Sequence, residues 1–174
     1  MLGFVRNWRR RRPAIELSEA SATINGRSLL ETLGDFEAAL GAHSRKQVLT
    51  KPQNTLYFWD SAGLVAYGPL SSERISAFVA YLGKGPSGAS PKSKFSGSLS
   101  INGVPISGAS TLSSVQSSLP SLGRVDDNQY SQDQSAQFTL GNSGARVSFN
   151  FDPGGRSIAV SFGSAGNAVP RGKQ

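Results

Sequence analysis

The sequence predicts an α+β fold of two tandem β-β-α-β-β-β units, each an antiparallel sheet packed on one short helix. Three observations lead there. Short apolar runs bounded by glycine, asparagine and aspartate recur along the 174 residues, the pattern of short strands and tight turns. Two segments place apolar residues at helical spacing just after a threonine: Leu33, Phe36 and Leu40, and Leu112, Val115 and Leu119. The order of these features also repeats. Thr23-Ile24-Asn25-Gly26 is matched by Ser100-Ile101-Asn102-Gly103, Phe58 by Phe138, Gly63 by Gly144 and Ile75 by Ile158, with an offset that grows only from 77 to 83. The expected organisation is a basic arm over 1–14, a first unit over 15–82, a linker over 83–94, a second unit over 95–163 and a flexible tail over 164–174.

In the first unit a strand over Ala22 to Ile24 runs into Asn25-Gly26, a pair that tolerates positive φ at both positions and so favours a type I′ hairpin turn. A short strand follows around Ser28. Thr32 and Asp35 have the spacing of a capping box, and Gly41 stops the helix. Arg45 to Asn54 reads as a polar connection. Leu56 to Trp59 and Leu64 to Tyr67 form a hairpin over Asp60-Ser61-Ala62-Gly63, and Ile75 to Leu82 is a third apolar strand. Residues 83–94 contain no hydrophobic side chain larger than alanine and read as a loop. The second unit repeats the plan: strand, Asn-Gly turn and strand over Phe95 to Ile106, a helix from Thr111, then strands over Ala136 to Leu140, Ala145 to Phe151 and Ser157 to Phe162.

The two units differ in polarity. In the second, Phe138, Leu140, Val147 and Phe149 alternate with Gln137, Thr139, Arg146 and Ser148, one dry face and one wet face. In the first, both alternating sets are apolar. Aligning Phe58 with Phe138 assigns Leu56, Phe58, Leu64 and Ala66 to the core. Tyr57, Trp59, Val65 and Tyr67, with Phe78 beside them, then lie on the outer sheet face. An exposed stripe of tyrosine and tryptophan is an interface signature, so Tyr57, Trp59, Tyr67 and Phe78 are the expected partner anchors, with Asp60 as a polar contact.

Charge is concentrated at one end. The 18 basic and 11 acidic residues give a net charge of +7, but Arg6, Arg9, Arg10, Arg11 and Arg12 precede Pro13 with no acid among them. The remainder carries only +2. Arg9, Arg10, Arg11 and Arg12 are the candidates for contact with nucleic acid or an anionic membrane. The apolar stretch before them is too short for a secretory signal or a membrane span.

Catalytic and metal chemistry is weakly represented. With no cysteine there is no disulfide, thiolate nucleophile or thiolate metal site. His43 is the single histidine and is read as a solvated loop residue. Asp126, Asp127 and Asp133 lack the central glycine and spacing of a calcium loop. Gly83-Lys84-Gly85-Pro86-Ser87-Gly88 lacks a phosphate loop's Gly-Lys-Ser/Thr spacing and a following helix. The expectation is a non-enzymatic protein with no cofactor and no metal.

Trp59-Asp60-Ser61-Ala62-Gly63-Leu64 and the run Phe95-Ser96-Gly97-Ser98-Leu99-Ser100-Ile101-Asn102-Gly103-Val104-Pro105-Ile106 resemble a group of bacterial domains of unknown function, often encoded beside interbacterial toxins, that are similar to immunity proteins. The tandem helix-on-sheet layout is similar to the architecture of the β-lactamase inhibitor proteins, in which two similar units present a concave sheet to an enzyme. The resemblance implies a cytoplasmic immunity protein that binds and blocks a cognate toxin of a type VI-like system. An adaptor for nucleic acid or anionic membrane working through the arginine arm is the alternative.

Overall fold

The two Asn-Gly pairs set matching corners. Asn25 and Asn102 take φ of 53° and 49°, and the glycines after them, Gly26 and Gly103, take 75° and 78°. This doubly positive geometry matches the twist of a two-residue hairpin. The computed structural model describes residues 12–18, 21–28, 31–120, 123–125, 135–140 and 145–163. One corner joins β2 (Ala22–Ile24) to β3 (Arg27–Ser28), the other β8 (Ser98–Ile101) to β9 (Val104–Ile106). Between the two hairpins lies β1 (Ala14–Leu17), antiparallel to β2 and parallel to β8. The result is a five-stranded sheet of order β3-β2-β1-β8-β9. Alternation gives it one dry face, with Ile15, Leu17, Ile24, Leu99, Ile101 and Ile106 buried, while Glu16, Ser98 and Pro105 are exposed.

Each half then supplies one short helix. α1 (Leu33–Leu40) begins at a capping box between Thr32 and Asp35, and α2 (Leu112–Ser118) at one between Thr111 and Ser114. These reciprocal bonds satisfy amide donors that a helix start leaves orphaned. Thr32 bridges to Arg74 and Thr111 bridges to Arg156, so each helix start is tied to the same relative place in its own half. The helices bury Phe36 and Val115.

The remaining strands are β4 (Arg45–Leu49), β5 (Asn54–Trp59), β6 (Leu64–Pro69), β7 (Ala77–Ala80), β10 (Gly123–Val125), β11 (Ser135–Leu140), β12 (Ala145–Phe151) and β13 (Ser157–Gly163). They form one eight-stranded sheet of order β10-β11-β12-β13-β7-β6-β5-β4. The last strand of each half meets the other at the centre, Phe78 opposite Phe162 and Val79 opposite Ser161. The dry face of the small sheet, both helices and one face of the large sheet share a single core. Among the described residues the fold is strand-dominated with two sheets and two helices, between α+β and mainly β.

Two expectations are corrected. Each unit was expected to have its own sheet, but strands of both halves build both sheets, and β1 has no counterpart among the described residues of the second half. Arg45–Leu49 is a strand, not a connection: its Lys46 and Gln47 suggested a loop, yet an edge strand tolerates and uses such residues. In β13, Ser157 and Ser161 are buried and Ile158 is only half-buried. A register shift at Asn150/Phe151 sets Ser157 opposite Phe151 on the core side, while Ser161 stays opposite Ser148 on the outer face. Asp126, Asp127 and Asp133, residues 164–174 and Arg9, Arg10 and Arg11 lie outside the described residues, and Arg12 is exposed.

Candidate functional site

The β5–β6 hairpin holds most of the predicted site. Four residues separate Trp59 from its partner Leu64, so cross-strand partners have opposite parity. Tyr57 faces Ala66, Trp59 faces Leu64, Leu56 faces Tyr67 and Phe58 faces Val65. Directly paired residues share a face. One face therefore carries Tyr57, Trp59, Leu64 and Ala66, the other Leu56, Phe58, Val65 and Tyr67.

The facing expected from sequence is reversed for β5 and Phe78, and holds for β6, where Val65 and Tyr67 lie on the outer side. Tyr57, Trp59 and Phe78 point into the shared core at 7%, 4% and 4% exposure. Phe36 of α1 lies 6.1 Å from the Trp59 ring and 6.0 Å from Phe78, within the range of favourable aromatic pairs. The indole Nε1 donates to the Gly41 carbonyl at 2.7 Å, satisfying an acceptor at the helix end. The reason for the reversal is a one-residue slip. Leu140 pairs with Ala145 as Trp59 pairs with Leu64, so Phe138 occupies the place of Tyr57, not of Phe58.

The outer face of the first half is the second cluster: Leu56, Phe58, Val65, Val79, Tyr81 and Ala159, with Tyr67 and Leu49 half-buried beside it. The chain itself covers part of it. Arg45 of β4 lays its guanidinium 3.5 Å above the Phe58 ring, a cation–π contact. The same guanidinium donates from Nε and Nη2 to Asp60 at 3.0 and 3.3 Å, and from Nη2 to the Ser90 carbonyl at 3.0 Å. The segment 83–95 is thus a strap held to the hairpin turn. Lys92 N donates to Asp60 Oδ1 at 2.9 Å, Ser93 N to the Asp60 carbonyl at 3.2 Å and Phe95 N to the Tyr81 carbonyl at 2.7 Å. A β-carbon at Gly85 would collide with the Tyr81 ring, so glycine permits that close approach.

Asp60 is the hub of this arrangement, only 8% exposed. Ser44 Oγ is a further donor to its carboxylate, at 3.0 Å. Burial works against its charged form, but the hydrogen bonds from Arg45, the Lys92 amide and Ser44 prevail and hold the carboxyl below its usual range. Tyr67 is pushed well above the ordinary phenol range by burial and by the neighbouring Tyr81 phenol. Sequence reasoning missed the strap because 83–94 has the composition of a linker. The available signal was the doubly apolar hairpin before it, which needed a cover.

His43 is not a free loop residue. Its Nδ1 lies 2.6 Å from Glu37 Oε1, and its ring meets Tyr57 edge-on with centroids 5.3 Å apart. The hydrogen bond to His43 lowers the Glu37 carboxyl below its usual range, against a smaller burial penalty. No cluster of three or more His, Cys, Asp or Glu suited to a metal occurs among the described residues. No helix among them is long and apolar enough to cross a membrane.

Residues 14–116 match the family model described as Domain of unknown function (DUF7738), and the match runs from β1 into α2. No curated protein and no solved structure matches the chain. The matched segment exceeds half of the sequence, and the chain belongs to this family.

Proposed function

We propose that this family member is an internally duplicated, non-enzymatic binding protein, acting in the cytoplasm as an immunity protein that occludes a cognate toxin of a type VI-like system. The observation that carries the reading is the large sheet. Its strand order runs β4-β5-β6-β7 from one edge and β10-β11-β12-β13 from the other, meeting at the β7–β13 pair. With helices and a second sheet behind it, such a platform is broad and rigid, which lowers the ordering cost of binding. Equivalent Asn-Gly corners, capping boxes and Thr–Arg bridges in the two halves support the duplication.

In this reading Tyr57, Trp59 and Phe78 set the shape of the platform from within, while Tyr67 and the Asp60 clamp belong to its outer side. The test is a pull-down with the product of the neighbouring gene. Binding by the wild type, kept when Arg9 to Arg12 are replaced by serine, is the expected result. Absence of any binding by folded protein would sink the reading. The adaptor alternative rests on the clustering of arginines before Pro13. It requires DNA, RNA or anionic-vesicle binding that falls steeply with salt and is lost in the same serine variant.

A further inference from the structure

The geometry points to the β4 edge of the large sheet as the docking line for one extended segment of a protein partner, a strand carrying an acidic and an apolar side chain two residues apart on one face. This rests on the binding-protein reading and names its contact. β4 is the terminal strand of the eight-stranded order, so one side of Arg45–Leu49 pairs with β5 and the other has no strand partner among the described residues. A row of unpaired backbone donors and acceptors is a template for strand addition.

Side chains on this edge fit an occupant. Val48 and Leu70, 49% and 43% exposed, are the most exposed large hydrophobic residues among those described, and both lie at this corner. Val48 is opposite Thr55, Thr55 is opposite Gly68, and Leu70 follows two residues later with its amide bonded to the Gln53 carbonyl. Lys46 shares a face with Val48, since they pair with Tyr57 and Thr55 on alternate positions of β5. The described part of the helix layer reaches Tyr57 through His43, while Lys46 and Val48 stay exposed beyond it.

Charge decides the partner's chemistry. Arg45 is committed to Asp60 and Phe58 and is not free to guard the edge. Lys46 and Lys51 are exposed and form no salt bridge among the described residues. A second copy of the chain is disfavoured: antiparallel pairing of β4 with itself about Gln47 sets the two Lys46 side chains diagonally across from each other, where like charges repel. An incoming strand with a carboxylate opposite Lys46 and an aliphatic side chain opposite Val48 satisfies both positions.

The probe is a short synthetic peptide in which threonine alternates with glutamate and valine, with a lysine-for-glutamate version as its control. Amide NMR and hydrogen exchange on the full chain read the site. The glutamate peptide should shift and protect the β4 amides, and Lys46→Glu should weaken it at least about tenfold. Val48→Asp, at an exposed position, should weaken it as well. Equal binding by the lysine peptide, or no effect on β4 amides, overturns the inference. The reading under it fails separately: no binding to the neighbouring gene product removes the immunity role but leaves peptide docking standing. Toxin binding unchanged by Lys46→Glu and Val48→Asp leaves the role and removes this contact.

Discussion

The β5–β6 and β11–β12 hairpins share a register and differ on one face only. Tyr57, Trp59, Leu64 and Ala66 turn inward in the first as Phe138, Leu140, Ala145 and Val147 do in the second. Outward, the first presents Leu56, Phe58, Val65 and Tyr67, where the second presents Gln137, Thr139, Arg146 and Ser148. The second face is wet, with Gln137 Nε2 donating to Ser148 Oγ at 3.2 Å. The first carries the Arg45 guanidinium and the 83–95 strap. The lesson is that extra hydrophobicity in one of two matched hairpins marks what the chain lays over it, before it marks an external partner.

The sharpest way to break the comparison is to give the first hairpin the second's outer residue. Phe58→Thr, which places there what Thr139 is in the sister strand, removes a ring with 0% exposure and its Arg45 contact. It should cost about 3–5 kcal/mol in chemical denaturation, as other large-to-small core changes do. Asp60→Asn comes next. It leaves Arg45 facing a neutral amide and weakens the strap anchor, a loss of about 1–3 kcal/mol with faster exchange over 83–95.

The same carboxylate gives a pH signature. The folded pKa of Asp60 lies below its unfolded value, so its contribution is fully present above about pH 4 and is lost as pH falls through the folded pKa. Asp60→Asn should flatten the acid limb of the stability curve. Glu37 shifts in the same direction, so Glu37→Gln should flatten it further but by less, since this carboxylate is the more exposed of the two. The smallest effect is expected on the wet face. Gln137→Leu gives up one side-chain bond at a half-buried position and should change stability by only about 0.5 kcal/mol.

Much of this architecture is legible in sequence where local chemistry decides. Asn25-Gly26, Asn102-Gly103, the Thr32–Asp35 box and both helices follow from turn and capping preferences. What is illegible depends on register or on distant pairing. A one-residue slip between Phe58 and Tyr57 as the match to Phe138 exchanged the two faces of β5, because side chains alternate with period two, while β6 kept its expected facing. The insertion of β1 between β2 and β8 is a long-range pairing that no local pattern announces. The strap gives no apolar signal because it is held by backbone amides, Arg45 and the Asp60 carboxylate.

The claim that the first half's outer face is partly covered by its own chain is tested most directly by hydrogen exchange in the free protein. The amides of Lys92, Ser93 and Phe95, bonded to Asp60 and Tyr81, should exchange at least about a hundredfold more slowly than in an unstructured chain. Exchange of all three at the unstructured rate would contradict it.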